Sequence, residues 1–479
     1  MNNTAMLIAT ILPLLISVLF FVTRLKKSVL KVLTAITVIG TLTASVLCAV
    51  YCDGSLQLAY FTDTMKLTLS FSSLSVFMAI LMNLVFSASL IFAFEYTEHD
   101  EGRQKFFAYS LLTLSCLIGL CFAGNMLTFY LFYEAMTLAS FPLVLHTKTE
   151  ESRKAAFKYL GFSVFGAGLV LFGMMLLGNG VFRGFTPCGI DGIDKSNTLA
   201  YLLMALGFSC KAGMFPLSAW LPTAHPQAPA PASALLSGII TKAGILGIIR
   251  TTFFVFGANA IIGTWAQQTM LILAIFTIFM GSMLAYKEKT FKKRLAYSSV
   301  SQLSYVIFGI FLLNPEGFMG AILQILFHAL TKAGLFLCAG AVIHKTGIER
   351  TDALYGIGKK MPVVMACFTL LSLSLVGIPP LGGFSAKWHL ISGAFENGAM
   401  GIIGIAVLLI SALLTAFYLL PITHDAFFAG KTVAREDKKE PSLFMTVPLI
   451  VLCVLVLLGG IFSGAFETLA TDIAGGLFV

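Results

Sequence analysis

Apolar residues in this chain gather into runs of about 20, separated by short connections that carry most of the charged positions. A hydrocarbon core about 30 Å thick is crossed by a helix of roughly that length. Fourteen runs are predicted as membrane-spanning helices, at approximately 4–23, 28–51, 72–94, 106–121, 126–146, 158–181, 199–221, 233–254, 266–286, 295–313, 318–343, 363–394, 401–423 and 443–466. The predicted fold class is an all-α polytopic membrane protein. No connection is long enough to form a separate soluble domain.

Composition agrees with the pattern. Of 479 residues, 58% are hydrophobic and 11% charged, and the mean hydropathy is +0.92. An aqueous surface needs far more charge, so a cytosolic enzyme, a secreted domain and a disordered regulator are excluded. The net charge of +9 and pI near 9.0 could suggest a nucleic-acid partner. Their distribution gives a membrane explanation instead.

With the N-terminus outside, 23 basic residues fall in cytoplasmic connections. These are Arg24, Lys26, Lys27 and Lys31; Arg103 and Lys105; Lys148, Arg153, Lys154 and Lys158; Lys287, Lys289, Lys292, Lys293 and Arg294; Lys345, Arg350, Lys359 and Lys360; and Lys431, Arg435, Lys438 and Lys439. Only Lys66, Arg183, Lys195 and Arg250 fall outside. That asymmetry predicts a multi-pass protein of the cell membrane with both termini on the outer side. Because Arg24 follows the first apolar run, that run is expected to be a permanent span and not a cleaved signal. The nine cysteines include no C-x-x-C pair and behave as small buried hydrophobes. No G-x-G-x-x-G or P-loop pattern is present, so no nucleotide, flavin, metal or iron–sulfur centre is expected in this chain.

Four basic residues remain, Lys211, Lys242, Lys332 and Lys387, all within apolar runs; among the acids only Glu134 lies near mid-membrane. Each such charge costs about 2.5–3.5 kcal/mol on insertion scales. Snorkelling relieves that cost near helix ends, and these lysines sit about ten positions from the ends of their runs. Pro216 and Gly213 predict a break beside Lys211 in FSCKAGMFPLSAWLPTAHPQAPAPAS, freeing carbonyls for water or the ammonium. Pro379, Pro380, Gly382 and Gly383 do the same before Lys387 in LVGIPPLGGFSAKWHLISGAF. Two broken helices, each with a lysine, point to an ion site in a protein built from repeats. Their separation predicts two five-helix units, spans 4–8 (106–255) and 9–13 (265–425), with residues 1–105 forming the first three spans and 443–466 the last.

In AILQILFHALTKAGLFLCAG, Gln324, His328 and Lys332 stand at i, i+4 and i+8 and share a helix face. Span 10 adds Ser298, Ser301, Gln302, Ser304 and Tyr305; span 8 adds Ser233, Ser237 and Thr241 beside Lys242. Burial lowers a lysine's affinity for its proton and a nearby carboxylate restores it, so such a residue can be loaded and emptied. Histidine titrates near neutrality and can bridge two such sites. Glu134, Lys211, Lys242, His328, Lys332 and Lys387 are therefore the candidate proton-translocating groups. His225, Ser237, Thr241, Gln302 and Gln324 are candidates for proton entry or for lining a water path, with an ordinary loop histidine the plainer reading of His225.

At these residues the chain resembles the antiporter-like subunits shared by respiratory complex I, Mrp sodium/proton antiporters and membrane-bound energy-converting hydrogenases. The resemblance spans roughly residues 70–425. FYLFYEAMTLASFPLV carries the family's glutamate at Glu134, and KAGMFPLSAWLPTAHPQAPAPASALLSGIITKAG its lysines at Lys211 and Lys242. FHALTKAGLFLCAGAVIH places the central relay on His328 and Lys332. GIPPLGGFSAKWHL places the terminal group on Lys387, where some members carry glutamate. The resemblance implies fourteen helices with two inverted five-helix repeats and translocation of protons, or alternatively sodium. It also implies partner membrane subunits, including related antiporter-like ones, and peripheral redox subunits that hold any iron–sulfur, nickel–iron or flavin centres. Without the long lateral helix of the largest members, the chain is expected to depend on neighbouring subunits for coupling.

Overall fold

A computed structural model describes residues 3–60, 62, 65–187, 189–190, 194–428 and 440–478. Lys431, Arg435, Lys438, Lys439 and Cys188 lie outside the described residues. The helices are α1 (Thr4–Val22), α2 (Lys27–Tyr51), α3 (Ser73–Tyr96), α4 (Arg103–Cys121), α5 (Met126–Val144), α6 (Glu150–Leu177), α7 (Thr198–Ala212) and α8 (Leu221–Gln227). They continue with α9 (Ala230–Phe256), α10 (Trp265–Lys287), α11 (Phe291–Phe311), α12 (Pro315–Thr346), α13 (Pro362–Val376), α14 (Gly382–Phe395), α15 (Gly398–Phe428), α16 (Leu443–Ile461) and α17 (Ser463–Ala474).

Eleven of these are uninterrupted, long and apolar enough to cross a membrane. The other three predicted runs fall on α7 with α8, on α11, and on α13 with α14. Both predicted breaks are present. α7 ends at Ala212, where Gly213 takes a left-handed φ of 81°, and α13 ends at Val376 before Gly377 at 96°. These are conformations that a Cβ disfavours.

α9 and α12 form the centre: every residue of α9 and of 320–342 in α12 is buried. α6 and α15 instead turn outward faces of large apolar residues, such as Phe165, Phe172, Leu409 and Phe417, toward lipid or neighbours. α6 and α7 pack at backbone distance through Gly166 and Gly207, where a Cβ on either would come within 2.7 Å of the other's carbonyl oxygen. That approach sets the end of α7 against Tyr159 and Ser163 of α6.

The basic connections gather at one end of the bundle. Lys289 pairs with Asp352, Phe291 N–H donates to the Glu349 carbonyl, and Lys345 pairs with Glu95. Burial works to raise the Glu288 carboxyl, but Lys293 and the Thr290 backbone outweigh it and hold it at about 2, down from 4.5. A depressed carboxyl contributes stability above its unfolded value that is lost as pH falls through the folded one. Glu288→Gln is therefore expected to lower the thermal midpoint modestly at neutral pH, the difference closing as pH drops from 4.5 toward 2; paired melts in detergent check it.

The opposite end holds a hairpin the hydropathy reading passed over. β1 (Ser55–Tyr60) and β2 (Lys66–Ser70) pair antiparallel, and β2 seals the α4–α5 connection through Ser70 N–H to the Phe122 carbonyl. Its signal was the two-residue alternation in SLQLAY and KLTLS. Arg250 also departs from expectation: it is 1% exposed within α9, not in an outer connection. Its guanidinium donates to Ser72 and Ser75 and lies against the Phe185 and Phe254 rings.

Candidate ion-translocation axis

Lys211 stands one residue from the end of α7, not ten positions inside a span, because the helix stops at Gly213. Its side chain turns away from the break. Nζ donates to Thr137 Oγ1 at 2.9 Å on α5, and to Tyr159 OH at 3.0 Å and Ser163 Oγ at 2.9 Å on α6. The Tyr159 ring lies beneath it, 4.5 Å from its centroid. All three ammonium hydrogens thus have acceptors without a carboxylate. The carbonyls freed at the break go elsewhere, Trp220 Nε1–H donating to the Cys210 oxygen at 2.9 Å.

Glu134 is not in contact with Lys211. No ion pair joins the two, and the buried Glu134 Oε1 has no hydrogen-bond partner among the described residues. The carboxylate sits at the border of an outward face carrying Leu131 and Leu138, with Lys211 the charge that acts on it across the gap.

Lys242 follows a five-residue π-helical turn, Leu236–Ile240, in the middle of α9. Its Nζ donates to the Ser237 carbonyl at 2.6 Å and lies 2.7 Å from His328 Nδ1 on α12. Ser237 Oγ bonds Ser299 Oγ at 2.7 Å, Ser299 donates to the Leu295 carbonyl at 3.0 Å, and Lys332 Nζ donates to that same carbonyl at 3.0 Å. These contacts link His328, Lys242, Ser237, Ser299 and Lys332 residue by residue, by way of the Ser237 backbone and the shared Leu295 carbonyl. Thr241 only closes back on its own helix, donating to Ser237 O. Gln324, predicted to share the face of His328 and Lys332, donates to Gln302 at 2.8 Å.

When Lys242 is charged, His328 Nδ1 is the acceptor and Nε2 carries the N–H. That atom, Gln302 Nε2 and Ser374 Oγ are buried without a partner among the described residues. They converge on a cavity of about 10 Å³, lined also by Gln324 and Lys387, which is the size of one water. Beyond it, Lys387 donates to the Leu375 and Val376 carbonyls, both at 2.6 Å. Here the carbonyls freed by the break do hold the ammonium, as the sequence suggested.

His225 is a correction. It is not a loop residue but fully buried in α8, stacked on Phe336 with centroids 4.6 Å apart, and neither ring nitrogen has a partner among the described residues. The next residues, Pro226 to Ala228, line a polar pocket of about 670 Å³ at the basic end, where Lys292 Nζ donates to the Pro226 and Ala228 carbonyls. His225 thus sits behind the pocket wall. Sequence reasoning missed Thr137, Tyr159, Ser163 and Ser299; the i, i+4 spacing of Tyr159 and Ser163 was their one available signal.

Comparison with known proteins places this geometry. Residues 123–415 match the family described as NADH:quinone oxidoreductase/Mrp antiporter, transmembrane. The chain is 33% identical to NADH-quinone oxidoreductase subunit N of Desulforudis audaxviator over 402 residues, covering 78% of each chain. It is 29% identical to a Na(+)/H(+) antiporter subunit of Alkalihalophilus pseudofirmus, over 95% of this chain and 94% of that one. Its fold superposes on a chain of the Mrp complex from Dietzia sp. DQ12-45-1b with a TM-score of 0.85 at 23% identity, covering 100% and 96% of the two chains. The solved neighbour is a chain of a complex, and both curated relatives are named as subunits. The chain is an antiporter-like membrane subunit and belongs to the NADH:quinone oxidoreductase/Mrp antiporter family.

Proposed function

We propose that this chain translocates protons within a redox-driven complex, of the complex I or energy-converting hydrogenase kind. The observation that carries ion translocation is the linked set of Lys242, His328 and Lys332, joined by a water-sized cavity to Lys387. A buried ammonium and an imidazole 2.7 Å apart can share and exchange one proton. Lys211, held by hydroxyls alone, is the loading site, and approach of Glu134 sets its charge state. Fourteen crossings in two inverted repeats, 106–255 and 265–425, and termini on the outer side complete the reading. It is supported by the basic connections, which gather at the end of the bundle away from Asn3 and Phe478. Redox centres are assigned to partner subunits.

The 33% identity to a quinone oxidoreductase subunit favours the redox-driven assembly. The near-complete mutual coverage with a sodium/proton antiporter subunit favours a second reading, an Mrp-type exchanger with no redox partner. Purifying the tagged chain with its partners in mild detergent, then assaying iron, flavin and nickel, separates them. Iron with flavin is expected for a complex I relative, and iron with nickel for a hydrogenase. Other hydrophobic subunits without any of the three would establish the exchanger and overturn the first reading.

A further inference from the structure

The cavity between His328 and Lys387 decides which ion can pass along the axis. It measures about 10 Å³, room for one water. A bare sodium ion is smaller than a water molecule, so size does not discriminate and the groups facing the cavity must. Two of its buried atoms without a partner among the described residues are nitrogens, His328 Nε2 and Gln302 Nε2. Gln302 turns its amide oxygen away to accept from Gln324 Nε2 at 2.8 Å, which leaves its NH2 for the cavity. His328 offers an N–H there when Lys242 is charged, and at most a nitrogen lone pair otherwise.

The oxygens left to the cavity are at most the Ser374 and Thr331 hydroxyls and the Gln324 amide oxygen, none of them charged. Carbonyls along the axis are already taken: Ser237 accepts from Lys242, Leu295 from Lys332, and Leu375 and Val376 from Lys387. A hard cation leaving water needs several oxygens to replace its shell. Here it would meet N–H donors and the Lys387 ammonium, a like charge acting through a medium of low dielectric. A water molecule is in the opposite position. Its oxygen accepts from His328 and Gln302 and one of its hydrogens goes to Ser374 Oγ, three partners that suit a buried water.

We propose that this junction is the selectivity point of the axis: Gln302, His328 and Ser374 hold a single water that passes protons, and their donor-rich arrangement beside Lys387 excludes sodium. The proposal rests on the ion-translocating reading given above and specifies its ion. The chain carries protons whether its assembly is redox-driven or an exchanger, and any sodium crosses in another subunit. In the transfer, a Lys242 N–H breaks as His328 Nδ1–H forms, and His328 Nε2–H breaks as its proton joins the water. An O–H of that water then breaks as the Lys387 amine becomes an ammonium. One proton moves and no electrons do. Gln302 carries no proton itself; it positions the water and denies sodium an oxygen.

The test follows proton movement by the intact complex in membrane vesicles as sodium in the medium is raised, with assembly checked through the tagged chain. Sodium is not expected to slow the unaltered complex. Gln302→Leu removes one donor to the water and is expected to slow proton movement about tenfold. Gln302→Glu puts a carboxylate oxygen where the N–H stood, and is expected to create an inhibition by sodium that the unaltered complex lacks. An assembled Gln302→Leu complex at the original rate, or an assembled Gln302→Glu complex indifferent to sodium, overturns the selectivity point. Should Gln302→Glu fail to assemble, competitive slowing of the unaltered complex by sodium overturns it without any variant. If Lys211→Ala stops transport while Gln302→Leu does not slow it, the selectivity point alone is wrong; if the unaltered complex moves no protons, the underlying reading fails first.

Discussion

Lys211→Ala is expected to abolish proton movement while leaving the complex assembled. The side chain occupies a site built by Thr137, Tyr159 and Ser163, whose hydroxyls accept from its ammonium. Alanine removes the exchangeable proton but leaves hydroxyls that can bond one another, as Ser140 and Tyr159 already do at 2.7 Å. The loss of packing costs about 2–3 kcal/mol, which a bundle of this size absorbs. Glu134→Ala is expected to give the same loss by a different route, since its carboxylate has no structural contact to forfeit at Oε1. Dye-reported acidification of inverted vesicles, normalised to assembled complex, measures both. Normal pumping in both variants would remove Lys211 and Glu134 from the mechanism.

The buried ionisable residues were legible in the sequence because charge inside a long apolar run is expensive and therefore rare. Lys211, Lys242, His328, Lys332 and Lys387 announced themselves in this way. Their solvation did not. Ser299 joins Lys332 to Ser237 only because α11 packs against both α9 and α12, and hydroxyls are too common in membrane helices to single one out beforehand. Pro216 located the break in span 7, yet Trp220 takes the Cys210 carbonyl beside it, a tertiary choice no local pattern encodes. The same limit explains the separation of Glu134 from Lys211, since residues on neighbouring helices share a depth without sharing a contact. Arg250 looked like an outer charge because it ends an apolar run, and only the rings of Phe185 and Phe254 reveal why it can stay inside.

The break before Lys387 leads to the other large effect. A Cβ at Gly383 would stand 1.9 Å from the backbone oxygen of Ser374, where no rotamer change can make room. Gly383→Ala must push α13 and α14 apart by roughly 1 Å to reach a tolerable contact. That movement strains the two 2.6 Å bonds from Lys387 to the Leu375 and Val376 carbonyls and opens the small cavity toward His328. Overpacking of this kind costs about 1–3 kcal/mol, and a buried ammonium losing its acceptors adds to it. Gly383→Ala is expected to lower the thermal midpoint by several degrees and to stop transport even where protein remains assembled. Gly161→Ala is the matched control, because a Cβ there meets nothing within 4 Å. A Gly383→Ala complex that melts and pumps like the Gly161→Ala complex would show that the junction of the two half-helices yields without cost, and that Lys387 does not depend on their close approach.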